Sequence, residues 1–149
     1  MVYYGLLYHP ACRDLDLSSL DIAISGGAPL SMEIYEKFCE RYKIDIYHGY
    51  GLTEASPVVS WNNINIPNKP ETVGRAIPDV AIEVHDEAGK SLPPGVEGEV
   101  VVKGPNVMLG YFGRPQETQT VIRDGWLYTG DLGRLDEDGY LTLTGLKKD

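Results

Sequence analysis

Two short runs of β-prone residues in the first fifty positions, residues 20–24 and 44–47, each lead straight into glycine, and one amphipathic segment lies between them. This strand–helix–strand spacing constrains the fold more than any other feature of the chain. The first run ends in Ser25-Gly26-Gly27-Ala28-Pro29 and the second in Gly49-Tyr50-Gly51. Between them Ser31 is placed to cap a helix, with Leu30 before it and Tyr35 four positions inside as a hydrophobic staple. Ile34, Phe38 and Tyr42 recur every four residues and give that helix one apolar face, ending near Tyr42. In open α/β sheets ligands bind beyond the carboxyl ends of the strands, so the two glycine loops line one cleft if their strands are parallel neighbours. Two parallel strands cannot cover both faces of a sheet, so most of that sheet is expected to lie outside these residues.

From about Pro70 the pattern changes to short strands punctuated by Pro and Gly, clearest at residues 80–84, 98–102 and 140–143. Turn chemistry separates them at Asp86-Glu87-Ala88-Gly89, Pro93-Pro94-Gly95 and Asp136-Glu137-Asp138-Gly139, and a short helix is expected over 115–121 with Pro115 in its first turn. The fold class read from these patterns is α/β. A partial α/β sandwich lobe over residues 1–70 precedes a small distorted β-barrel subdomain over 71–145, and residues 146–149 remain as a separate tail.

The formal charge of −9, from 22 acidic and 13 basic residues, repels a phosphate backbone, which argues against a nucleic-acid partner. Cys12 and Cys39 lack CxxC spacing and fit free thiols in a reducing compartment. The apolar stretch at residues 1–8 has no basic flank and Pro10 cuts it short of a membrane span, so it reads as a buried helix. A cytosolic location is expected, with peripheral membrane association left open. A chain that opens on so apolar a surface suggests truncation. His9, His48 and His85 have no metal-ligand spacing.

Three segments carry groups capable of chemistry. Ser25-Gly26-Gly27 lets a planar ligand approach backbone amides and carbonyls closely, although such pairs also make ordinary tight turns. Gly49-Tyr50-Gly51-Leu52-Thr53-Glu54 puts an aromatic ring, a hydroxyl and a carboxylate on one stretch. These suit a purine face, a phosphate oxygen and a Mg²⁺ ion, while the plainer reading of Thr53-Glu54 is a helix cap with an acidic first turn. Trp126-Leu127-Tyr128-Thr129-Gly130-Asp131 ends an aromatic-rich strand with an Asp able to accept from both hydroxyls of a ribose, or to serve as a turn residue.

Taken in order, Ser25 to Leu30, Gly49 to Glu54 with Ala55-Ser56-Pro57, Gly104 to Met108 with Gly110-Tyr111, and Trp126 to Asp131 resemble the AMP-forming acyl-CoA synthetase family. Among its members the wording most resembles the long- and medium-chain fatty acid ligases. The resemblance runs essentially from end to end of the chain. It implies adenylation of a fatty acid or other carboxylate with ATP, then transfer of the acyl group to coenzyme A. By position it implies that Gly26, Gly27 and Ala28 line the adenine and acyl site, and that Gly49 and Tyr50 flank adenine within the Gly49-Tyr50-Gly51-Leu52 cofactor stretch. It further implies that Thr53 contacts the α-phosphate, that Glu54 holds Mg²⁺, and that Asp131 binds the ribose hydroxyls of ATP or AMP.

The chain departs from that pattern in three places. The family's phosphate-cradling loop has no counterpart before residue 25. The hinge form Asp/Gly-Arg-x-Lys-Asp reads Gly145-Leu146-Lys147-Lys148-Asp149, so Leu146 stands where an arginine is expected, and a bidentate donor is replaced by an apolar side chain. The matched hinge residues, Lys148 and Asp149, are the last two, and the domain carrying the adenylation lysine is not in the sequence. The expectation is a ligase fragment, inactive alone unless missing N- and C-terminal lobes act in trans. The alternatives are another adenylate-forming enzyme, such as a carrier-protein ligase or a luciferase-like oxidoreductase, or a non-catalytic module binding AMP or acyl-AMP. With a small core in each half and most of the first sheet absent, the β-part should be the more stable. Amide hydrogen exchange is expected to be slow within residues 71–145 and fast within 20–50; the opposite order would contradict this reading.

Overall fold

The computed structural model describes residues 2–147. Helix α1, Val2–Tyr8, packs Tyr3, Leu6 and Leu7 against the Phe38 side of α2, Met32–Tyr42. The Ser31 hydroxyl caps α2 by accepting from the Ile34 amide at 3.4 Å, and Lys43 closes the helix in the left-handed region, as the staple and the apolar repeat predict. The orphaned carbonyls ending α1 are taken up from α2: Arg41 donates to Leu7 O at 2.9 Å and the Tyr42 hydroxyl to Leu6 O at 2.9 Å. The expectation of a buried α1 is corrected, because none of its residues is buried and Val2 is 72% exposed. The contacts of α1 lie toward α2 and, through the Tyr3 hydroxyl, which donates at 2.5 Å, toward the carbonyl of Ile24.

Strand β1, Ala23–Ser25, runs parallel to β2, Ile46–Gly51, with Ser25 opposite His48. The chain then turns back antiparallel through β3, Val58–Trp61, and β4, Arg75–Ala76, to complete a four-stranded sheet in the order β1-β2-β3-β4. The strand expected over 44–47 is therefore longer and shifted. Gly49, Tyr50 and Gly51 belong to β2 and pair with β3, instead of forming a loop. Close backbone approach explains Gly51: a Cβ there would sit 1.9 Å from Pro57 O.

A second, antiparallel sheet comprises β5 (Ala81–His85), β6 (Gly98–Lys103), β7 (Ile122–Arg123), β8 (Trp126–Leu135) and β9 (Leu141–Leu146). Its order is β5-β6-β8-β7, with β9 also paired to β8. Register shifts in β6 and β8 curl this sheet into the barrel-like unit that the strand pattern suggests. Helix α3, Pro115–Val121, begins at its proline as expected. Strand β8 does not end at Gly130-Asp131 but passes through them, because β9 supplies a partner for Asp131 and the residues after it.

The two sheets share one core. Tyr50 and Val59 of the first, with Ala55 on the turn between β2 and β3, pack with Val100, Val102, Leu127 and Leu141 of the second. Backbone bonds cross the same seam: Val73 donates to Leu141 O at 2.8 Å and Leu141 to Gly74 O at 2.9 Å. Gly74 has φ +80°, and a Cβ there would lie 1.9 Å from the Trp61 carbonyl carbon. Gly74→Ala is expected to cost at least about 2 kcal/mol by urea unfolding, since it adds a backbone clash to left-handed strain. Gly95→Ala, with φ +83° but open space around it, is the control and is expected to cost about 1 kcal/mol. Equal losses would show that the close approach at Gly74 is unimportant.

Candidate functional site

The parallel pairing of β1 with β2 brings the two glycine segments side by side. A Cβ on Gly26 would lie 3.3 Å from Gly49 O, so glycine keeps the backbone at this strand end open. Gly26, Gly27 and Ala28 are exposed just beyond β1. Here the conditional reading of the sequence, that both segments flank one cleft, rests on strands that are parallel neighbours.

Tyr50 points the other way along the strand's alternation, into the core between the sheets, and is 9% exposed. Its hydroxyl donates to Asp131 Oδ2, which joins two candidate residues 81 positions apart. Burial, and after it the neighbouring Asp131 carboxylate, holds the Tyr50 phenol well above the usual tyrosine range, so it remains a neutral donor. The Asp131 amide donates to Thr129 Oγ1 at 3.1 Å, and that hydroxyl donates to Val100 O at 2.8 Å. The Gly130 amide donates to Glu99 Oε1 at 3.2 Å, while Lys147 reaches Glu99 Oε2 at 2.7 Å. Asp131 is thus fixed from β6, β8 and the end of β9. Leu146 is the residue opposite Asp131 in the β8–β9 register and is 73% exposed.

Thr53 and Glu54 lie in a one-turn 3-10 helix, Thr53–Ala55, between β2 and β3. The plainer reading, a capped α-helix with an acidic first turn, is replaced by this tight turn, because the Leu52 amide donates back to Pro57 O at 2.8 Å and β3 begins at once. Leu52 packs on the shared core, Thr53 is exposed, and Glu54 is half-buried. Glu54 Oε1 accepts from the Tyr111 hydroxyl at 2.8 Å. No group of three or more His, Cys, Asp or Glu side chains able to hold a metal occurs among the described residues. A single carboxylate fits Mg²⁺ arriving with a nucleotide, since that ion binds through one or two carboxylates plus substrate phosphates and keeps several waters. Lys148 and Asp149 lie outside the described residues.

Tyr111, Asn106, Glu99 and Thr129 surround the candidate groups without having been assigned roles from the sequence. Gly104 to Met108 and Gly110-Tyr111 stand out only as a motif; nothing in their spacing predicts that Tyr111 reaches a carboxylate 57 positions earlier. That bond, and after it burial, raises the Tyr111 phenol above its ordinary value. The protonated phenol donates to the carboxylate, whereas a phenolate would face it as a like charge, so removing the charge favours deprotonation. In Glu54→Gln, NMR titration of labelled tyrosine is expected to show Tyr111 titrating at lower pH than in the parent chain, toward the ordinary tyrosine range. An unchanged titration would mean that the bond is not formed in solution.

Residues 2–112 match the model of the family described as AMP-binding enzyme. A long-chain-fatty-acid–CoA ligase of Bacillus subtilis (strain 168) is 44% identical over 149 residues, which cover 99% of this chain and 27% of that protein. The chain therefore spans about a quarter of the length of that relative. Among solved structures, the anthranilate CoA ligase AuaEII in complex with anthranoyl-AMP superposes with a TM-score of 0.90 at 26% identity, over 99% of this chain and 28% of that one. ATP-bound MatB from Rhodopseudomonas palustris gives a TM-score of 0.81 at 40% identity, over 85% of this chain and 25% of that one. With nearly three-quarters of its residues inside the family match, the chain belongs to the AMP-binding enzyme family.

Proposed function

We propose that this chain supplies part of the adenylate site of an ATP-dependent fatty acid–CoA ligase, which activates a carboxylate as acyl-AMP and passes the acyl group to coenzyme A. The observation that carries the reading is the meeting of Tyr50 and Asp131 across the seam between the sheets, next to the open Gly26–Gly49 edge. In this proposal adenine lies along Gly26, Gly27, Ala28, Gly49 and the main chain of Tyr50, whose ring, expected from the sequence to cover a purine, is instead turned into the core. Asp131, already oriented by Tyr50 and Thr129, accepts from the ribose hydroxyls. The exposed Thr53 hydroxyl donates to the α-phosphate, and Glu54 contributes one ligand to the Mg²⁺ that neutralises charge on the phosphates. Polar groups held in place before the reaction stabilise developing charge without reorganising during it.

Adenylation also needs a cradle for pyrophosphate and a lysine at the acyl phosphate, and neither is identified in these 149 residues. On this reading the chain binds adenylate and does not turn over alone, and its fatty acid and coenzyme A sites are completed by other polypeptide. Leu146 opposite Asp131 favours a second reading, a non-catalytic holder of AMP or acyl-AMP, because an apolar side chain there makes no hydrogen bond to a nucleotide.

Isothermal titration of the chain with AMP and with a stable acyl-AMP analogue, in Mg²⁺, tests the binding both readings share. The Thr53→Ala, Asp131→Ala double variant is expected to bind at least about tenfold more weakly, the loss appropriate to hydrogen bonds with charged partners. No heat from a demonstrably folded wild-type sample would sink the proposal that the site is preformed. Acyl-CoA formation by the chain alone would overturn the assignment of inactivity.

A further inference from the structure

We propose that Tyr111 is a positioning residue for Glu54, and that the strap formed by residues 104–114 sets how this carboxylate meets a nucleotide-bound Mg²⁺. The inference rests on the assignment of Glu54 to the metal made above. The Glu54 main chain and side chain are held by the same short segment. Met108 donates its amide to Glu54 O at 2.8 Å, and Asn106 Nδ2 donates to Ala55 O and Val58 O, each at 2.9 Å. These three bonds secure the turn before the phenol is considered. The Tyr111 hydroxyl then takes Oε1 at 2.8 Å.

A carboxylate at the end of a glutamate has free rotation about its last torsion, so one donor on Oε1 is enough to fix its plane and hence the direction of Oε2. Tyr111 is itself held from α3: its amide donates to Thr118 Oγ1 at 2.9 Å, and Thr118 donates to Arg114 O at 2.9 Å. Gly110 packs directly on that threonine, where a Cβ would lie 2.8 Å from Cγ2. Two large apolar side chains of the strap, Leu109 and Phe112, are fully exposed and contribute no packing that would hold its path. Since the turn has independent anchors, the specific contribution of the phenol falls on the carboxylate. Outer partners of this kind raise the fitness of a ligating carboxylate, and losing one typically costs ~10–100-fold in metal affinity.

The test is a double-mutant cycle of Tyr111→Phe and Glu54→Gln, reading ATP affinity by titration calorimetry in Mg²⁺ and again in EDTA. Tyr111→Phe is expected to cut the Mg²⁺-dependent gain in ATP affinity about tenfold, to leave affinity in EDTA unchanged, and to add nothing in the Glu54→Gln background. Equal weakening in Mg²⁺ and in EDTA would reveal a merely structural role and overturn the proposal, as would an intact Mg²⁺ gain in Tyr111→Phe. A wild-type chain with ATP binding but no Mg²⁺ gain would instead remove the Glu54 assignment, and this inference with it.

Discussion

The apolar seam between the two sheets is the constraint on which the remaining features depend. Tyr50, Ala55 and Val59 cannot be buried by α1 and α2, which cover the separate cluster of Ala23, Phe38, Ile44 and Ile46. They are buried only because Val100, Val102, Leu127 and Leu141 close over them. Non-directional burial brings the sheets together, and the directional groups then settle orientation. Val73 and Gly74 exchange backbone bonds with Leu141, and the buried Asn62 amide donates to Thr72 O at 2.9 Å. The composition shift near residue 70 marks a change in local pattern, while the packing runs across it.

Around the seam the polar residues serve mostly to pin the connecting segment 62–74. Tyr140 is 1% exposed, and its hydroxyl donates to Pro67 O at 2.7 Å. Lys69 lies over the same ring and pairs with Asp136 at 2.6 Å and Asp138 at 2.9 Å. These carboxylates are partly exposed, so screening keeps the ion pairs a modest contribution beside the buried phenol. His48 is the opposite case. Its ring is 9% exposed, burial lowers its basicity, and Nε2 finds no partner among the described residues. A neutral imidazole tolerates this better than a charged one, so the contribution of His48 to stability is present above about pH 6.5 and is lost as pH falls through its depressed folded value.

Local signals were legible where a residue's conformation is decided by its near neighbours. Ser31, Leu30 and Tyr35 mark the start of α2, Pro115 marks that of α3, and Asp86 forms its turn by accepting from Ala88 and Lys90 at 2.9 and 2.8 Å. The reading failed where a distant strand overrides propensity. Gly49 and Gly51 look like loop residues by composition, yet both lie within a strand, and at Gly51 the close approach of Pro57 before β3 leaves no room for a side chain. The same holds for the site. Thr53, Glu54 and Asp131 announce themselves by chemical type, but the phenols that orient two of them come from 57 and 81 positions away, beyond any local pattern.

Those two phenols suggest how the proposed adenylate site and the fold are coupled. Tyr50 belongs to the first sheet and donates to a carboxylate of the second; Tyr111 belongs to the strap beyond β6 and donates to a carboxylate on the turn that joins β2 to β3. Each carboxylate is therefore oriented from across the seam, Asp131 of β8 by Tyr50 of β2 and Glu54 of the turn after β2 by the strap that follows β6. If the seam opens, Asp131 and Glu54 both lose their donors at once, whereas the Gly26–Gly49 edge survives within one sheet. A nucleotide bound through both carboxylates would favour the closed seam by its preference for that state, and by linkage a tighter seam would raise nucleotide affinity equally. Docking of the sheets and ordering of the site are then one equilibrium.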